Sequence, residues 1–329
     1  MLHNLLIDKH VNFKISLYFV FFLVIGIQES NAQSCGFLAG DGCTNTDYSN
    51  FGLNSSDPAT LEYDNFTSLF HSTVVRTSTG AFRVWGEDAG SNGTNDLTTP
   101  TNLGGLPSGH RFLKVTGAST GNSNEGQFVA LTTDGIYAWG NVGKVIPSTL
   151  KNTATFGRIG NTNGSSTSNL PPGVAPGDVK MLTAGGDFNF LVLTTCSGDV
   201  WVLSGTPSTR GNGALPDAPG IVGEDHWSKV LTAANTPLTG IIAARVNRGT
   251  VIALKNDNTI WTWGAVTRRG NGTNPLDRNF ATSMTHPASS KTIKMIGITT
   301  GSNSSNIPTY YVLMTDGNLY RMGGGELVR

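Results

Sequence analysis

The chain is short of charge. Of its 329 residues only 13% are Asp, Glu, Lys or Arg, and 22 basic side chains balance 22 acidic ones to a formal net charge of zero. A neutral surface offers no electrostatic footprint for a nucleic-acid backbone, so DNA and RNA are not expected partners. Cysteine is scarce as well: three in so long a chain exclude a disulfide-dense scaffold. Catalytic signatures are missing. There is no Gly-x-Ser-x-Gly elbow and no phosphate-cradling loop. Of six histidines, His3 and His10 fall in a segment expected to be removed, and His71, His110, His226 and His286 are scattered without metal-ligand spacing. No catalytic residue, metal or cofactor is therefore expected. The enzymatic alternative is an extracellular site, for example a carbohydrate-active one, assembled from residues far apart in sequence.

Glycine, by contrast, is abundant at 42 residues, which suits a loop-rich all-β protein and argues against a helical bundle. The most informative stretch is Phe128 to Gly140, FVALTTDGIYAWG. Two apolar runs, Phe128–Leu131 and Ile136–Trp139, flank Asp134-Gly135, a pair that tolerates the positive φ of a tight hairpin turn. The runs are apolar at nearly every position, as expected of strands buried on both faces. Such a hairpin needs sheets on either side of it.

The chain supplies them by repetition. Val74–Thr77 leads to Phe82–Gly86, Phe190–Leu193 to Val200–Ser204, Thr250–Leu254 to Ile260–Gly264, and Tyr310–Leu313 to Leu319–Gly323. The residue before each closing Gly or Ser (Trp85, Trp139, Leu203, Trp263, Met322) recurs at spacings of 54, 64, 60 and 59. Five units at an irregular period indicate a repeat architecture whose length variation sits in loops. The strand tryptophans, including Trp201 and Trp261, are expected to pack between units.

A strand, an "ALTxDG" turn and an "hWxWG" strand resemble the repeat of the regulator of chromosome condensation family, over roughly residues 70 to 329. Leu203-Ser204 departs from its Trp-Gly, and its Gly-x-x-His lead-in is absent. The resemblance implies an all-β β-propeller of four-stranded blades, usually seven, so the five visible repeats imply an incomplete propeller truncated at the C-terminal side. The chain is also similar to N-terminal propeller regions of secreted surface proteins of gliding bacteria.

Residues 1–32 read as a signal peptide. Lys9 and Lys14 precede an apolar run of about thirteen residues, short of the ~20 of a spanning helix, and Ser30-Asn31-Ala32 places cleavage before Gln33. Localisation is thus expected to be secreted or cell-surface, with no membrane span after cleavage. Residues 33–68 are polar and turn-rich, and a Cys35–Cys43 disulfide is expected there. Cys196, at a hairpin turn, has no obvious partner and is expected to be free. Residues 69–329 form the propeller repeats.

Between hairpins lie Gly/Asn-rich loops, each followed by a candidate strand (Phe112–Val115, Val179–Leu182, Ile293–Ile296) that begins the next sheet. The loops hold the binding candidates. Glu87, Asp88, Asn92 and Asp96 bring oxygens together but lack the calcium-loop order. Arg210 stands in the third unit's loop, and Arg268-Arg269 have the chemistry to clamp an anion. Trp227 lies outside the hairpin pattern as a candidate surface contact. The expected function is a secreted or cell-surface binding module whose propeller loops contact an unidentified protein or glycan. Nucleotide exchange and chromatin binding are not expected.

Overall fold

The computed structural model describes residues 66–77, 81–90, 95–119, 126–163, 167–186, 189–213, 223–264, 278–285, 288, 290–300, 308–323 and 326–328. Strands form five four-stranded antiparallel sheets. Blade 1 comprises β1 (Phe66–Ser68), β2 (Ser72–Arg76), β3 (Phe82–Gly86) and β4 (Leu97–Asn102). Blade 2 comprises β5 (Phe112–Ser119), β6 (Gly126–Thr132), β7 (Gly135–Gly140) and β8 (Gly157–Arg158). Blade 3 comprises β9 (Val179–Gly185), β10 (Phe190–Thr195), β11 (Val200–Ser204) and β12 (Ser228–Lys229). A small ribbon, β13 (Leu231–Ala233) with β14 (Thr236–Pro237), leads to blade 4, made of β15 (Ile241–Asn247), β16 (Thr250–Lys255), β17 (Ile260–Gly264) and β18 (Arg278–Met284). Blade 5 comprises β19 (Ile293–Thr300), β20 (Pro308–Met314), β21 (Leu319–Gly323) and β22 (Glu326–Val328). The described residues of blade 1 start at Phe66.

Within each sheet the strands follow chain order, and the first strands pack side by side in the series β1, β5, β9, β15, β19. This is a β-propeller of five blades. The Phe128–Gly140 hairpin sits in it as expected, with β6 and β7 buried at every position. Alternate residues of a strand face opposite neighbours. In blade 2, Phe128, Ala130, Tyr137 and Trp139 join a core with Val74, Phe82 and Val84 of blade 1. Val129, Leu131, Ile136 and Ala138 join Leu191, Leu193 and Leu203 of blade 3. The same division makes a third core between blades 3 and 4 and a fourth between blades 4 and 5. Each blade thus has a leading face toward its predecessor and a trailing face toward its successor.

The closing glycines have a steric reason. Gly140 has φ +96°, and a Cβ there would lie 2.5 Å from the Gly126 carbonyl oxygen. Gly86 and Gly264 stand in the same conformation against the carbonyls of His71 and Gly249. In blade 3 Ser204 replaces the glycine without a positive φ.

Side chains also latch neighbouring blades. Asn169, on the approach to blade 3, accepts the Ile136 N–H at 3.1 Å and donates to the carbonyls of Ile136 and Ile159 at 3.1 and 3.3 Å. Asn258 in the blade 4 turn accepts the Ile293 N–H at 2.8 Å and donates to Lys291 O at 2.8 Å, entering blade 5.

Candidate functional site

Antiparallel blades present two different ends. At one end, the turns between second and third strands are short and alike. Each of four carries an aspartate, and each aspartate meets a cation. Asp134 Oδ2 lies 3.4 Å from Arg158 Nε, Asp199 Oδ1 3.1 Å from Lys229 Nζ, and Asp257 Oδ2 2.8 Å from Lys255 Nζ, while Asp316 pairs with Lys291. Burial and the hydrogen bond to Asp134 push the Tyr137 hydroxyl up to about 12. This end is locally neutralised.

The other end carries the connections between third and fourth strands, which are long and dissimilar: 87–96, 141–156 and 205–227 in blades 1 to 3. Their starts are pinned alike. Glu87 N–H donates to His71 O at 3.2 Å, Asn141 N–H to Gly126 O at 2.8 Å, and Gly205 N–H to Asn189 O at 3.3 Å. A common scaffold therefore launches loops of different sequence, the arrangement in which recognition surfaces are found.

Among the described residues, a cluster of aromatic and acidic side chains at this end belongs to blade 1. Phe70, 58% exposed, stacks on His71 with ring centroids 4.1 Å apart. His71 Nδ1 pairs with the Glu87 carboxylate, and Asp96 Oδ1 accepts the Asp88 N–H at 3.1 Å. Burial, then Asp96 and Glu87, raise the Asp88 carboxyl above its ordinary value. Ser72 donates its hydroxyl to the Glu87 carbonyl rather than to His71, so this is not a serine–histidine nucleophile arrangement. An exposed ring beside clustered carboxylates is instead suited to holding a cationic side chain. Among the described residues no group of three His, Cys, Asp or Glu is placed to hold a metal ion.

Of the sequence candidates, Glu87, Asp88 and Asp96 come together here, joined by Phe70 and His71, which sequence reasoning passed over. Two others are structural. Arg210 is 2% exposed and donates from Nε and Nη2 to Ser204 O at 3.1 and 2.8 Å, bracing its own loop. Burial lowers its guanidinium, against the opposing charges of Glu224 and Asp225. Trp227 is 3% exposed within the core between blades 2 and 3, its indole N–H donating to Asn169 O at 3.2 Å. It is not the surface contact expected, because the side-chain Oδ1 of Asn163 accepts its backbone N–H at 2.7 Å and holds it inward. Cys196, expected free, is disulfide-bonded. It sits half-buried at a turn with its N–H on Asp178 O at 2.9 Å, and its partner lies outside the described residues. Asn92, Arg268, Arg269, Cys35, Cys43 and the signal segment also lie outside the described residues. No helix among the described residues is long and apolar enough to cross a membrane.

No family model matches the chain, and the search of curated proteins found no match. Solved structures do match. Human WBSCR16 is 15% identical, with 78% of this chain and 61% of that chain covered at a TM-score of 0.54. Yeast RCC1 (Prp20), solved with Kap60, is 17% identical, with 78% of this chain and 55% of that chain covered at a TM-score of 0.52. Prp20p from Saccharomyces cerevisiae in another structure is 16% identical, with 78% and 56% covered at 0.51. The chain spans between 55% and 61% of the length of these proteins. Likeness at this identity establishes the class of fold, the β-propeller. Within that class the similar structures are of the regulator of chromosome condensation type.

Proposed function

We propose that this chain is an exported interaction module that contacts a protein partner through the loop end of the propeller, with the Phe70, His71, Glu87, Asp88 and Asp96 surface of blade 1 at its centre. The observation that carries this reading is the contrast between the two ends. Short turns, four of them with an aspartate paired to a cation, occupy one, and dissimilar loops on a shared scaffold occupy the other. Carboxylates beside an exposed phenyl ring favour a partner that presents Lys or Arg. The Prp20p structure was described with its binding to Gsp1p and histones, an instance of protein binding on this class of fold. Export is the part of this reading carried by the sequence alone, through the amino-terminal charge, apolar run and cleavage pattern.

The test captures extracellular proteins of the source cell on immobilised chain, residues 33–329, alongside a glycan array. Phe70→Ala, Glu87→Gln/Asp88→Asn and a shortened 87–96 loop are each expected to weaken protein capture at least about tenfold. Capture unchanged by all three, saccharide turnover during the assay, or a partner found only on the glycan array would overturn the reading. Cell fractionation with amino-terminal sequencing checks export, the expected new terminus being Gln33.

A further inference from the structure

Methionine is unevenly placed. The chain holds six: Met1, Met181, Met284, Met295, Met314 and Met322. The last five all gather in the core between blades 4 and 5. Met181, Met284, Met314 and Met322 are buried in it, and half-buried Met295 packs against it. The other three junction cores contain none, and each buries a tryptophan instead: Trp139, Trp227 and Trp263. The exchange is visible at one register. Trp139 and Trp263 pair across to Phe128 and Val251 in blades 2 and 4, and Met322 pairs with Tyr310 at the same place in blade 5.

A core of this composition differs from its neighbours chemically. Thioether side chains are unbranched and adaptable where an indole ring is rigid. Their sulfur is also readily oxidised to the sulfoxide, which turns an apolar side chain polar. Little in this junction could receive the new oxygen. Thr262 already donates its hydroxyl to Val251 O at 2.8 Å, and the Tyr310 hydroxyl lies 3.0 Å from that of Thr262. A buried sulfoxide oxygen without a donor is costly, so each one works against closure of the junction. Met181 Sδ itself accepts the Ala244 N–H at 3.4 Å, tying the inner strand of blade 3 into the same core. Exposure ranks the five sulfurs for attack. Half-buried Met295 comes first, Met284 and Met322 follow at 9% and 7% exposed, and Met181 and Met314 come last at 2% and 0%.

We propose that the junction between blades 4 and 5 is an oxidation site. Hydrogen peroxide converts Met295, then Met284 and Met322, to sulfoxides, and blade 5 loosens from blade 4 while the other three junctions stay closed. In each step the thioether sulfur bonds one peroxide oxygen as the O–O bond breaks. Sulfur gives up two electrons, and the peroxide's other oxygen leaves as water. The junction is separate from the blade 1 surface, so this inference does not rest on the partner-binding reading.

The test treats the purified chain with graded hydrogen peroxide and follows it by peptide mass spectrometry and native-state amide exchange. Sulfoxide is expected at Met295 before Met284 and Met322, and at Met181 and Met314 last. Exchange in β20 and β21 should then rise at least about tenfold, with β6, β7 and β10 unchanged. Methionine sulfoxide reductases acting on both epimers should restore slow exchange. The volume-conserving variant Met284→Leu/Met295→Leu/Met322→Leu should keep exchange slow in β20 and β21 through the same treatment. Met295→Leu alone is expected to delay the rise, which keeps the test open should the triple variant lose its strands. Sulfoxide at Met295, Met284 and Met322 with no change in β20 and β21 would overturn the proposal, as would a rise spread evenly over all five blades. Simultaneous oxidation of all five methionines would overturn it too, because unfolding of the whole chain would then precede the chemistry.

Discussion

Trp139 and Trp85 hold one register in adjacent blades and differ in what lies beyond them. Trp139 stacks on Phe128 with centroids 4.9 Å apart and donates its indole N–H to Ala89 O at 3.2 Å, all within the first junction. Trp85 faces outward and is half-buried. Trp139→Ala is expected to cost about 3–5 kcal/mol by opening a core cavity, and Trp85→Ala about 1 kcal/mol or less. Urea unfolding of both variants checks this, and equal losses would refute the assignment of faces. Gly140→Ala would force a Cβ to within 2.5 Å of a carbonyl oxygen at φ +96°. It is expected to cost about 1–3 kcal/mol in the same measurement. Cysteine pairing was the residue-scale feature least legible in sequence, because three cysteines admit three pairings and loop distances separate none of them. Peptide mapping without reduction should find Cys196 cross-linked, and an alkylated Cys196 would contradict the structure.

Hairpins were legible and outer strands were not. The second and third strands of blades 2 to 4 announced themselves through runs apolar at nearly every position and a turn dipeptide, whereas those of blades 1 and 5, interrupted by Arg83 and Arg321, were legible through the repeat. The fourth strands Gly157–Arg158 and Ser228–Lys229 are two residues each and carry no periodicity to detect. The blade 1 surface was half legible. Its acidic residues stood out in the loop, whereas Phe70 and His71 join them only through the β1–β2 turn, a contact that sequence spacing does not reveal. Acidic residues in the short turns proved more than turn formers. Hydrogen bonds from Lys291 and Asn318 pull the Asp316 carboxyl down to about 2. Burial tends to raise that of Asp257, but hydrogen bonds from Lys255 and Thr259 outweigh it and hold it below its ordinary value. A carboxyl depressed in the folded state lends stability above its unfolded pKa, near 3.8, and loses it as pH falls through the folded value, about 2 for Asp316. Thermal unfolding is therefore expected at progressively lower temperature across that acid window. Lys291→Met/Lys255→Met should flatten the decline; an unchanged slope would show that these pairs contribute nothing.

At the scale of the whole molecule, the described residues divide stability among four junction cores rather than holding it in one. A repeat array of this kind behaves as units coupled to their neighbours, so a blade flanked on both sides is held by two junctions and an end blade by one. Burial follows that division, complete in β6, β7 and β10 and partial in β2 and β3. Opening of an end blade breaks one interface, while opening of blade 2, 3 or 4 breaks two. Amide hydrogen exchange under native conditions should therefore be graded, slowest in β6, β7, β10 and β16 and faster in β2, β3, β20 and β21. The gap between the sets should correspond to the free energy of one junction. The test has an internal control, because Trp139→Ala weakens only the junction between blades 1 and 2. It should speed exchange in β2 and β3 far more than in β20 and β21. Uniform protection across all five blades, or a Trp139→Ala effect spread evenly over them, would mean that the propeller unfolds as a single cooperative block and that the junctions are not separable units.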